Sequence, residues 1–527
     1  MLRYVRKSWY LLAAAMLAAA ISGCSGGQAA LPGSQSPFGS AGAPFLRALG
    51  ANRSPRFAVV RNQPPAPMMI GFLMTDGSVL TQDISGTNWY RYAPDSKGDY
   101  TNGTWKQLAS LQAGYGPSAY ASQVLADGRL MISGGEYNNP SNGYPLQLTN
   151  LGAVYDPVKN TWTPLSHPHR WQWIGDSPSS VLPDGRVLMG DKLHRWDAYL
   201  DPKTLAWSHA SDAGKADFNS EEGWTLLADG TILTADVKNA PHAEIYNPAA
   251  GHWKSAGSTI VDLHSPGEPG CVKYGPKPQD CYRPPGEIGP AILRPDGTVF
   301  ATGAGTGASG YGTGHTAIYD TKNGKWTAGP DFPNDDNAGD SYAMLEPSGD
   351  VLVMSIHYVL YEYDGKSFTQ VSNASGPPLL LPTGQVLMLG SGQTVLYTPT
   401  GKPQAAWAPT VSKAPANVVP GKTYRITGTQ FNGLSQAMSF GDEEQNATGY
   451  PLVRITNAGS GDVYYARTHD HSTMGIATGS KKVWTYFDVP KNIPSGKSTL
   501  VVVANGIASK PVTITVSAAR RRTLQQR

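Results

Sequence analysis

Cysteine, charge and long apolar runs are all scarce in this sequence, and each shortage removes a class of protein. There are three cysteines in 527 residues, and no further cysteine or nearby histidine pair completes a tetrahedral metal set around them. Charged side chains make up only 15%, with 42 basic against 39 acidic. Seven of the basic ones sit near the ends: Arg3, Arg6 and Lys7, then Arg520, Arg521, Arg522 and Arg527. The rest form no Lys/Arg stripe able to neutralise phosphates, so nucleic acid is not an expected partner. The N-terminal apolar run, Trp9 to Ala20, is too short to prefer spanning a bilayer. The glycine-rich stretch at 303–314 leads into a β segment, which removes the dinucleotide fingerprint, and no G-x-S-x-G nucleophile elbow occurs.

What the chain has instead is turn formers and aromatics. Its 60 glycines and 42 prolines interrupt every long window, which excludes coiled coils, and they show no three-residue period, which excludes collagen. With 40% hydrophobic residues, 13 Trp and 26 Tyr, there is apolar mass for large cores, so disorder is excluded as the main state. The sequence predicts a turn-rich all-β protein.

The N-terminus reads as an export signal. A basic start and the Trp9–Ala20 run precede Ile21-Ser22-Gly23-Cys24, which resembles the bacterial lipobox. Residues 1–24 are then signal peptide and lipobox, with Cys24 lipidated, and residues 25–64 a flexible linker. The expected location is the cell envelope, held to the membrane by lipid, on the periplasmic or extracellular face and at the outer membrane where the cell has one. Outside the cytoplasm the remaining pair, Cys271 and Cys281, is expected to form a disulfide.

From about residue 65 one phrase recurs: an apolar run, a D-G-like turn and a second apolar run. It reads FLMTDGSVL (72–80), VLADGRLMISGG (124–135), VLPDGRVLMG (181–190) and LLADGTILTAD (226–236), then ILRPDGTVFATG (292–303), MLEPSGDVLVMS (344–355) and LLPTGQVLMLG (380–390). Each is a hairpin signal, and most are followed by an aromatic strand and a tryptophan strand, as at Trp162, Trp253 and Trp326. Seven units averaging about 50 residues predict a seven-bladed kelch-like β-propeller over 65–407. The longest gap between turns holds the Cys271–Cys281 insertion. Residues 408–517 carry about seven β runs and predict an immunoglobulin-like sandwich, with 518–527 a basic disordered tail.

This order, with the phrases VLPDGRVLMG, LLPTGQVLMLG and RTHDHSTMG (467–475), resembles the galactose oxidase and glyoxal oxidase family. The resemblance implies the propeller-plus-sandwich fold and would carry a copper-ligand role onto His469. The family's tyrosine–histidine pair is replaced here by Gly175-Asp176-Ser177 and Gly339-Asp340-Ser341. No free cysteine remains to crosslink a tyrosine. The expectation is therefore no copper-radical oxidase activity, with copper disfavoured as cofactor.

The replacements suggest other chemistry. Asp176, Glu221, Glu287 and Asp340 each precede a turn by eight or nine residues, a position that opens the innermost strand of a blade. They are expected either to form a ring of carboxylates at one mouth, able to hold a divalent cation with His469 and His471, or to cap the blades through backbone N–H groups. A second candidate is His167, His169, Trp171 and Trp173, which read either as a sugar-stacking loop or as blade packing. The leading functional reading is a module binding an extracellular glycan or protein. The alternative is an enzyme acting on carbohydrate or a small alcohol or aldehyde at the axis, and a purely structural envelope role is the third.

Overall fold

The D-G phrase works as a hairpin because of backbone geometry at its glycine. In the computed structural model, φ is +74° at Gly77, +82° at Gly128, +91° at Gly185 and +85° at Gly230. This left-handed region is one that side chains with a Cβ avoid. The preceding aspartate fixes the turn: Asp76, Asp127, Asp184, Asp229 and Asp296 each accept the backbone N–H two residues on. The structure describes residues 56–518 except 139–146, 268–269, 275–276, 308–309, 375, 391 and 441–443. The lipobox, most of the linker and most of the tail lie outside the described residues.

Each hairpin grows into a four-stranded antiparallel sheet. One runs Ser179–Val181, Val187–Gly190, Asp197–Asp201 and Ala206–Ala210 in spatial order. Among the described residues, seven sheets of this plan follow one another. The last is completed by Phe57–Val59, which pairs with Val395–Tyr397 and so joins the chain's beginning to the final repeat. First strands of neighbouring sheets touch, for example Ala291–Leu293 with Tyr342–Leu345 and Tyr342–Leu345 with Pro378–Leu380. Those strands are therefore the inner ones. The fold is all-β and propeller-like.

The recurrent outer-strand tryptophans pin one sheet to the one before. The indole N–H of Trp162 donates to the Ala109 carbonyl, that of Trp326 to Ala256, and that of Trp207 to Ser166. In three repeats one indole thus clamps the sheet to its neighbour.

Residues 410–516 supply two further sheets. One contains Thr410–Lys413, Thr423–Thr429, Val483–Asp488 and Thr468–His469. The other centres on Leu452–Asn457, Gly496–Ala504 and Val512–Val516. They share a core of Ile426, Val453, Ile455, Phe487 and Val502. One piece leaves this region: Met438–Phe440 pairs with the inner strand Tyr342–Leu345. Beyond it, the Glu444 N–H donates to Tyr120 O, and the Asn446 amide and Tyr450 hydroxyl donate to Gly71 O and Leu73 O. The C-terminal part therefore reaches the inner strands of three sheets. No described helix is long and apolar enough to cross a membrane.

The Cys271–Cys281 disulfide is present, with Cα atoms 5.6 Å apart. It closes a small hairpin in which Val272–Lys273 pairs with Cys281–Tyr282.

Candidate functional site

The start of a first strand and the end of a second strand lie at the same end of every sheet, because the hairpin doubles back. Asp176 precedes Ser179–Val181 and Lys192 follows Val187–Gly190, so the two meet. The Lys192 ammonium is 2.5 Å from Asp176 Oδ2, 2.7 Å from Glu221 Oε1 and 3.5 Å from Glu136 Oε1. It is fully buried, and it lies 5.0 Å from the Tyr282 ring centroid. Gly175 permits this approach: its φ is +76°, and a Cβ there would stand 3.0 Å from the Lys192 side chain.

The carboxylates are spent on that lysine and on hydroxyls, so the backbone-capping expectation does not hold for Asp176 and Glu221. Glu221 Oε1 also accepts from Ser220 Oγ and from the Tyr282 hydroxyl, each at 2.9 Å. Asp176 Oδ1 is buried without a hydrogen-bond partner. Glu221 and Asp340 both hold left-handed backbone, with φ of 61° and 51°. For residues with a side chain that costs about 1–3 kcal/mol and clusters at functional positions.

Burial pushes the acidity of these groups apart. It holds Asp176 well above the ordinary carboxylate range despite Lys192, and it also raises Glu136. Glu221 feels the same burial, but Lys192 outweighs it and keeps its carboxyl below the usual value. Asp340 is pushed up to about 7 by burial and by repulsion from Glu221 and Asp176. The Asp340 residue itself is nevertheless exposed. Burial lowers the Lys192 ammonium's pKa, but the carboxylates around it more than reverse this, so it stays charged.

Beside this network lies a cleft of about 770 Å³. Tyr282 borders both. The cleft walls include Trp196, Arg195, Asp217, Lys238, Tyr274 and Arg283. Trp196 is 38% exposed and stacks on His194 at 3.9 Å. Lys238 lies over the Phe218 ring at 5.2 Å.

The structure brings together three of the four ring carboxylates, Asp176, Glu221 and Asp340, and adds Glu136 and Lys192. Glu287 is half-buried and is tied through its backbone to Ser265, with its N–H on Ser265 Oγ at 2.8 Å. His469 and His471 are not part of this end. His469 bonds Asp470 and Asp488, and His471 bonds Thr485 at 2.8 Å. Their loop rests on Ala126 O and Pro183 O, in turns at the opposite end of the inner strands from Asp176. The segment that does reach inward is the one carrying Glu444. Trp171 is core, 5% exposed, among Ala121, Ile174 and Met189, so it offers no stacking face. His167 and His169 are exposed. Trp173 meets Tyr274 of the disulfide hairpin edge-on at 5.9 Å. Lys192 was missed, although its place just past a second strand was available as a signal once Asp176 was put before the first.

No family model and no curated protein matches the chain. Among solved structures it is similar to a fungal alcohol oxidase in complex with copper, at 14% identity and a TM-score of 0.44, covering 88% of this chain and 98% of that one. It is also similar to virginiamycin B lyase from Staphylococcus aureus, at 10% identity and 0.41, covering 65% and 98%. A third is the extracellular domain of a two-component system from B. thetaiotaomicron, at 9% and 0.43, covering 86% of this chain and 57% of that one. Likeness at this level carries no argument about activity, and the fold stands on its own sheet topology.

Proposed function

We propose that this chain is a lipid-anchored envelope protein, built on a seven-bladed propeller with a C-terminal sandwich, that binds an extracellular glycan in the cleft beside Tyr282. The observation that supports the ligand is the cleft itself. An exposed indole, Trp196, stands among Arg195, Asp212, Lys238 and Arg283. A flat apolar face ringed by charged hydrogen-bonding groups suits a sugar, whose ring faces stack and whose hydroxyls both donate and accept. Titration against a panel of soluble glycans is the test. Trp196→Ala should weaken binding at least about tenfold, the scale of losing one aromatic contact. Equal binding by wild type and variant, or no binding across the panel, removes the cleft reading. The lipid anchor is tested separately: Cys24→Ala should move the protein from the membrane to the soluble fraction.

A second reading is favoured by Asp340. A carboxyl raised to about 7 next to a Glu221 kept below the usual carboxylate range sets groups of acid and base character side by side, the pairing that carbohydrate-cleaving enzymes use. Under that reading, bound glycan would be shortened on incubation and Asp340→Asn would stop it. Intact glycan after long incubation leaves the binding module.

A further inference from the structure

A second buried charged cluster lies behind the cleft wall. Lys215 is fully buried, with its ammonium 2.8 Å from both Glu222 Oε2 and Glu244 Oε2. Asp236 faces the same group, and His242 Nδ1 is 2.7 Å from Asp236 Oδ2. Three buried carboxylates thus share one ammonium, and buried negative charge is costly unless it is offset.

Asp236, His242 and Glu244 each offer a ligand atom, and these atoms lie within 4.8 Å of one another. With metal–ligand bonds of about 2.0–2.2 Å, ligand atoms sit roughly 3–4 Å apart, so a contraction of about an ångström closes the set. The strand explains part of the geometry. His242 and Glu244 are two apart in His242–Asn247 and share a face, while Asp236 follows the adjoining strand Ile232–Ala235.

Two further observations point to a ligand here. Asp236 is 2% exposed, and its Oδ1 has no hydrogen-bond partner. The other ring nitrogen of His242, Nε2, is 2.9 Å from Ser255 Oγ. An ion at Nδ1 would take the place of the proton now shared with Asp236 Oδ2, on a ring whose other nitrogen is held by Ser255.

We propose that Asp236, His242 and Glu244 form a site for a divalent transition metal of zinc type, completed by water. One imidazole nitrogen with carboxylate oxygens is a donor set that zinc accepts. The loop between Asp236 and His242 carries Lys238 and Asn239, which line the cleft, so the ion would brace one wall. The site does not depend on what the cleft binds.

The test uses the full folded domain pair after chelation and dialysis, titrated with Zn²⁺ by calorimetry and with Co²⁺ by visible absorption. One tight equivalent is expected, with a cobalt spectrum showing nitrogen ligation. His242→Gln and Asp236→Asn should each weaken binding about a hundredfold, and Ser255→Ala about tenfold, the range for ligand and outer-shell losses. His469→Gln, away from the cluster, should leave it unchanged. Circular dichroism and melting of the metal-free variants confirm that they fold. No tight equivalent, or one that survives both His242→Gln and Asp236→Asn, overturns the assignment.

Discussion

Lys192 is the residue on which the axial network turns. Taking it away leaves Glu221 buried and charged without its counter-ion, whereas taking both away removes the problem. Lys192→Met should therefore cost about 3–5 kcal/mol in urea unfolding, and adding Glu221→Gln should recover part of that loss. Equal stability of wild type and Lys192→Met would mean that the carboxylates do not rely on the ammonium. Glu444 gives a pH prediction. Burial pushes it up to about 7 from an ordinary 4.5, though Tyr342 and the Ala119 N–H donate to it. Between those values the folded chain keeps a proton that the unfolded chain has released, so stability falls as pH rises through the window. Glu444→Gln should raise the melting temperature at about pH 8 and change it little at about pH 4. His471 acts in the opposite sense: burial holds it neutral down to about 3, so its contribution is lost as pH falls below 6.5.

At the scale of elements, the disulfide hairpin is the piece that links the two candidate sites. Tyr282 follows Cys281 directly, and its hydroxyl reaches Glu221 while its ring borders the cleft. Opening so short a loop should cost roughly 2–3 kcal/mol in the chain-entropy picture. Cys271→Ser with Cys281→Ser should also make the 271–281 segment the first site of limited proteolysis and weaken the glycan binding proposed for the cleft. Unchanged proteolysis would show that Tyr282 and Tyr274 hold the hairpin without the bond. Tyr282→Phe, which keeps the ring and drops the hydroxyl, should cost about 1–3 kcal/mol because Glu221 loses a donor.

Across the whole molecule, the propeller-like part and the C-terminal sheets are not independent. Met438–Phe440 extends an inner strand, and Tyr450 bonds Leu73 O deep in the first sheet. Removing everything after Ala408 would bare the edge of Tyr342–Leu345 and the inner carbonyls of Gly71 and Leu73, which then lack partners. The intact chain is expected to unfold in one calorimetric transition, and the chain cut after Ala408 to melt lower or aggregate. Two separate transitions, the earlier one unaffected by the cut, would show that the threaded segment contributes little.

The sequence by itself determined the repeat. In five of the seven hairpins an aspartate directly precedes the turn glycine, and each tryptophan clamp depends on one indole, so both are legible from short windows. The Cys271–Cys281 pairing was legible for the same reason, since only one partner was at hand. Placing Asp176, Glu221 and Asp340 at one end also followed from counting back from the turns. What they would bond did not follow. Lys192 lies 16 residues from Asp176 and 29 from Glu221, and its role depends on how neighbouring sheets are set around a shared axis. The same holds for His469, which local resemblance directed to the axis. The docking of its loop on Ala126 and Pro183 sent it to the other end, while Glu444, with no motif around it, went inward. Turn chemistry acts between neighbours in the chain, whereas a buried charge finds its partner only when separate sheets close over it.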